Sequence, residues 1–173
     1  MNAFRRVCLS TLCAVVVGSG GLPQSSLANG RPHYHDLEGT WIIGIASQTN
    51  NDGIPFLGLI TYTQDGRVLG ESNSTAIRSL DHGEWFKVGP REYTRTTFLF
   101  RFAPPPAPPR TYVGLARISA RVVLNHERDE YTGVSVTERF DIAGNLVSSS
   151  SNTESARRCN SYTTIARCLG VGP

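Results

Sequence analysis

Glu138 is the acid whose setting stands out in this chain. In the stretch 131–141 it shares a two-residue alternation with Val134, Val136 and Phe140. A carboxylate on an apolar face is either protonated or paired with an arginine. An acid of raised pKa is what proton-transfer chemistry needs. The competing expectation is that Glu138, near a strand end, simply stands in water. His33 and His35 lie two apart, a spacing that in extended chain turns both rings to one side and suits a metal. They fall in 29–37, a polar leader without periodicity, so no metal site is assigned to them. Asp81 and His82 are adjacent, and adjacent strand residues point to opposite faces, which argues against a catalytic pair. Turn chemistry accounts for Asp81 and Gly83. His126 falls at a hairpin tip. The sequence has no phosphate loop, zinc-helix motif or nucleophile elbow, and no cofactor is expected.

Cysteine placement points to an oxidising compartment. Arg5 and Arg6, the apolar run over 7–18 and Ser26-Leu27-Ala28 read as a signal peptide over 1–28. The run is too short to span a bilayer, which needs about 20 residues. Cys8 and Cys13 leave with it. Cys159 and Cys168 remain, with no His or acid between them, so a disulfide is expected. Closing so short a loop stabilises by about 2–3 kcal/mol. Arg5 and Arg6 also leave, so the net charge falls from +3 to +1. No basic run remains, which argues against nucleic acid as a partner. No membrane association is expected after processing, and the localisation read is secreted or periplasmic.

Strand and turn signals then alternate along the chain. The strands expected are 39–47, 56–63, 67–75, 84–88, 92–102, 112–125, 131–141 and 146–153. Gln64-Asp65-Gly66 and Ala143-Gly144-Asn145 are hairpin turns, because their central positions favour φ > 0. No stretch sustains a 3.6-residue apolar period, so no long helix is expected. Short hairpins force sequential antiparallel neighbours, and eight such strands can close into one barrel without free edges. The fold class expected is therefore all-β, an eight-stranded antiparallel up-and-down barrel over 38–155. The tail over 156–173 carries the disulfide. A β-sandwich and an allene-oxide-cyclase-like barrel are the alternatives. Ala103 to Pro109 reads as a stiff loop at one rim.

Alternation also assigns faces. Tyr112, Gly114, Ala116, Ile118, Ala120, Val122 and Leu124 form an uncharged set, expected inside. Phe98, Phe100 and Phe102 are placed inside opposite these small residues, and Trp41 shares a face with Ile43 and Ile45. The ligand lining expected is Trp41, Ile43, Phe98, Phe100, Tyr112, Ile118 and Phe140.

Gly39-Thr40-Trp41, opening the first strand, resembles the Gly-x-Trp signature of lipocalins and the wider calycin group. Asp81-His82-Gly83-Glu84-Trp85, with Tyr93 and Thr96-Thr97-Phe98 after it, is similar to secreted lipocalin-like proteins of uncharacterised role. The resemblance covers most of 38–158. It implies a barrel closed at one end by Trp41, against which Arg157 or Arg158 would pack. The function expected is a secreted binding barrel for a small apolar or aromatic ligand. The alternatives are a barrel isomerase or cyclase using Glu138, and a protein-interaction module with a filled core.

Overall fold

A computed structural model describes residues 37–49 and 55–170. The expected signal peptide, His33, His35 and residues 50–54 lie outside the described residues. Eight strands follow one another: β1 (Gly39–Thr49), β2 (Pro55–Tyr62), β3 (Arg67–Ser72), β4 (Asp81–Lys87), β5 (Glu92–Phe102), β6 (Tyr112–Leu124), β7 (Glu130–Phe140) and β8 (Leu146–Cys159), then a short helix α1 (Ile165–Leu169). Each strand pairs antiparallel with the next, and β8 returns to β1 to close the barrel. The expected up-and-down barrel is the observed one. Closure gives every strand two neighbours and leaves the sandwich alternative without a place.

Most strand boundaries hold or shift by a residue or two, and those of β3, β4 and β8 shift by three or more at one end, β3 ending at Ser72 rather than residue 75. β4 begins at Asp81 rather than Glu84, because Asp81 and His82 pair with Gly70 and Leu69 of β3. β8 runs on to Cys159, because 154–159 pair with β1, so the barrel extends beyond residue 155. After it, α1 is capped by Thr164, whose hydroxyl accepts from the Arg167 amide at 3.2 Å, and ends at Gly170 with φ 68°. Cys159 and Cys168 stand at disulfide distance, with Cα atoms 5.4 Å apart, and tie α1 to the end of β8.

Register decides which side chains enter the barrel. Directly opposed residues share a face of the sheet. The expected β6 set, Gly114 to Leu124, does point inward. Its partners must therefore do so too. Ile118 opposes Thr97 of β5 and Thr137 of β7, and Ala120 opposes Arg95 and Ser135. The Phe98–Phe100 set is thereby forced outward, as is the face of β7 carrying Val134, Val136, Glu138 and Phe140.

The barrel ends differ. At the end where β1 starts and β8 finishes, here the lower end, Leu37, Trp41, Tyr62, Tyr93, Leu124 and Tyr131 are buried together, with Trp85 packed against them. The Trp41 and Tyr131 rings lie 5.1 Å apart, and Trp41 Nε1 donates to the Leu37 carbonyl at 2.9 Å. Arg158 opposes Trp41 in register, and its guanidinium lies 4.3 Å from the Trp41 ring. Arg157, one residue before, points out to Glu130 at 3.0 Å. The upper end contains the start of β6 and the end of β7.

Candidate functional site

The middle of the barrel holds a buried charge pair where an apolar core was expected. Arg95 Nη2 donates to Glu154 Oε2 at 2.8 Å. Arg95 Nη1 donates to the Tyr62 hydroxyl at 2.8 Å and the Tyr131 hydroxyl at 3.2 Å. These two hydroxyls stand 3.3 Å apart. The side chains of Arg95 and Glu154 are 5% and 0% exposed. Isolated buried charges are strongly disfavoured, so the pair depends on this hydrogen bonding. Burial pushes the Tyr62 hydroxyl's pKa up and that of Tyr131 further up, so both stay protonated. Burial alone would lower the pKa of Arg95, but the surrounding Tyr62, Glu154 and Tyr131 outweigh it and hold the guanidinium charged.

The network is incomplete. Arg95 Nε, Glu154 Oε1 and Ser135 Oγ are buried without a hydrogen-bond partner. Arg95, Ala120 and Ser135 form one inward cross-strand row, and Glu154 lies in the row below, opposite Gly133. An unsatisfied buried polar group costs about 1–3 kcal/mol. Arg95 also lines a cavity of about 30 Å³, walled besides by Ile43, Phe56, Ile60, Ile118 and Arg78. Gly58 and Gly70 help to form it. A side chain at Gly70 would press on Asp81, its Cβ 2.9 Å from the Asp81 Cβ. The space fits about two water molecules, or a compact polar group of similar size.

Above this level the interior turns cationic. Arg78 pairs with Asp81 through a short hydrogen bond and lies over the Phe56 ring at 5.5 Å. Arg101 and Arg139 also face inward, opposite the small residues Gly114 and Ala116 respectively. Arg139 Nη1 donates to the Ser150 hydroxyl at 3.3 Å. Partial burial, then the charges of Arg101 and Arg78, lower the pKa of Arg139.

The residues expected to line a ligand site divide. Trp41, Ile43 and Ile118 are buried inside. Trp41 belongs to the lower plug, whereas Ile43 and Ile118 wall the cavity. Phe98, Phe100 and Tyr112 are 44%, 54% and 48% exposed, on the outer face. The phenylalanines are there because β5 follows the phase of β6. Tyr112 is there because a bulge at Val113, between the Arg101–Gly114 and Phe102–Tyr112 pairs, reverses its side. The Phe100 and Tyr112 rings meet edge to face at 5.7 Å outside the barrel. Phe140 is outside as well, with Arg117 over its ring at 5.9 Å. Glu138 accepts from Arg117 Nε at 2.7 Å on that outer surface, away from the cavity. His82 is exposed, while Asp81 is buried against Arg78 rather than used in a turn.

The arginines, Glu154, Tyr62, Tyr131 and Ser135 were missed. Arginines alternating with threonine and leucine read as a solvated face, and only the pairing of β5 with β6 shows otherwise. Among the described residues no cluster of His, Cys, Asp or Glu suited to a metal ion occurs, and no helix is long and apolar enough to cross a membrane. No family model, curated protein or solved structure matches the chain.

Proposed function

We propose that this protein is a secreted or periplasmic binding barrel, lipocalin-like in build, for a compact ligand with a polar group. The observation that carries the reading is a barrel interior that holds unpartnered buried atoms of Arg95, Glu154 and Ser135 and, against Arg95, a cavity. Ile43, Ile60, Phe56 and Ile118 supply apolar walls. A few convergent polar groups in an apolar-walled hollow are the usual composition of a small-molecule site. The lower end is plugged by aromatic rings, so the ligand would use the upper mouth. The Trp41–Arg158 stack supports the lipocalin-like assignment, since it is the contact that the resemblance implies. The signal sequence and the Cys159–Cys168 pair support export.

Native mass spectrometry of the processed protein from its own source tests this reading. The expected result is a reproducible extra mass that disappears on denaturation. A bare mass from gently purified protein would overturn it.

A second reading, a protein-interaction module, is favoured by the outer face. Phe100, Leu115, Phe140 and Leu146 form one cross-strand row there. It predicts self-association in sedimentation; a monomer at high concentration would remove the self-association form of it.

A further inference from the structure

We propose that Arg101 and Arg139, with Arg78 beside them, form an oxyanion-binding site at the upper mouth of the barrel. The inference deepens the binding-barrel reading and rests on it for the identity of the ligand's charged group.

Register places these residues together. Leu99, Ala116 and Arg139 form one inward cross-strand row, and Arg101 opposes Gly114 one inward position higher. Arg101 and Arg139 thus stand on β5 and β7, with only Ala116 and Gly114 of β6 between them. Adjacent strands are about 4.8 Å apart, so the two backbones are separated by roughly 10 Å. Two arginine side chains span that gap easily, and the intervening strand has nothing larger than a methyl group to obstruct them. Arg78 joins them from the β3–β4 connection, where it forms an isolated bridge to Arg101.

The charges do not balance. Arg78, Arg95, Arg101 and Arg139 occupy the middle and upper interior with two carboxylates, Asp81 and Glu154. Asp81 is engaged by Arg78 and Glu154 by Arg95. Among the described residues, neither Arg101 nor Arg139 has an acidic partner. Asp141, two residues along from Arg139, is held in its own turn by the Ala143 and Asn145 amides at 2.9 and 2.8 Å. Like charges facing one another in a partly desolvated mouth repel. An anion in the gap would offset that repulsion. Guanidinium groups suit carboxylate and phosphate oxygens because their planar N–H forks match two oxygens at once. Arg78 Nε is buried without a hydrogen-bond partner, and the Ser150 hydroxyl adds a further donor beside Arg139. The chemistry on offer is thus three guanidiniums and a hydroxyl around a bay floored by small residues. It fits a carboxylate or phosphate group, either on a small free anion or as the head of an amphiphile reaching inward along the apolar wall.

Calorimetric titration of the processed protein tests the site, at fixed ionic strength in chloride. The probes are inorganic phosphate, succinate and decanoate. The variants are Arg101→Gln, Arg139→Gln and the double change. At least one probe is expected to bind the wild-type protein, at least tenfold more weakly each single variant, and the double variant not detectably. Phosphate or succinate binding identifies a free oxyanion; decanoate binding alone identifies an amphiphile's head group. In chloride without any probe, the double variant should melt at or above the wild-type temperature, because the opposed charges are gone. That readout separates loss of the site from loss of the fold. Absence of binding by all three probes, or equal binding by the double variant, would overturn the inference. A neutral ligand in the native mass spectrum with no oxyanion binding would leave the carrier reading standing and remove this one. Oxyanion binding with a bare native mass would do the reverse.

Discussion

The two ends of this barrel are built on the same strands by the same alternation, and they differ in what the alternation delivers. Along the inward face of β5, Tyr93 lies low, and Arg95, Thr97, Leu99 and Arg101 follow upward. β7 repeats the trend, from Tyr131 through Gly133, Ser135 and Thr137 to Arg139. Below, aromatic rings fill the bore, and both indole N–H groups donate to backbone carbonyls. Trp85 Nε1, for example, donates to the Thr63 carbonyl at 3.0 Å. Above, a small apolar cluster of Leu99, Ala116 and Ile118 shares the bore with arginines, and buried atoms such as Arg78 Nε lack a hydrogen-bond partner. An eight-stranded interior can be filled by side chains or can hold one small ligand.

Removing one side of the buried pair should break the comparison most severely. Glu154→Ala leaves Arg95 charged and unpaired, and should destabilise by about 3–5 kcal/mol in urea unfolding. Replacing both partners, Arg95→Met with Glu154→Leu, should recover most of that loss while abolishing ligand retention. A double variant as unstable as the single one would show that the pair itself holds the barrel. At the lower end, Trp41→Ala should lose a comparable amount, about 3–5 kcal/mol, by opening a cavity under Arg158. Any oxyanion binding above should survive it at a temperature where the variant is folded.

The alkaline limb sharpens the contrast further. Tyr62 and Tyr131 keep their protons in the folded barrel above the usual tyrosine value of 10.0, where the unfolded chain loses them. A raised folded pKa contributes stability that is fully present below that value and falls as pH rises beyond it. Urea midpoints at about pH 8 and about pH 11 should therefore drop less for Tyr131→Phe than for the wild-type protein. An equal drop would place the alkaline sensitivity elsewhere. The smallest effect belongs to the outer face: Phe100→Ser should change stability by no more than about 0.5 kcal/mol. If the protein self-associates through that face, sedimentation of the variant should show it weakened.

Much of the architecture was legible in the residues. The turn at Gln64-Asp65-Gly66, the uncharged alternation over 112–124 and the Gly39-Thr40-Trp41 opening led to the number, order and closure of the strands. Trp41, Ile43 and Ile118 were placed inside correctly for the same reason. The candidate site was not legible. Phe98 and Phe100 were expected inside because they are apolar, which left Arg101, between Phe100 and Phe102, outside. That preference is sound for an isolated strand, and β6 overrules it.

By itself, then, the sequence determined what is local: where strands turn, which of them are neighbours, and that two cysteines near the end of the chain can meet. Local signals suffice for this because hairpin turns depend on the φ preferences of a few adjacent residues. Only the tertiary structure decided which face of each strand looks inward. That choice is collective, since opposed residues must share a face around a closed ring. One strand with a clear preference, β6, therefore carries the arginines of β5 and β7 into the bore and turns the phenylalanines to the outside.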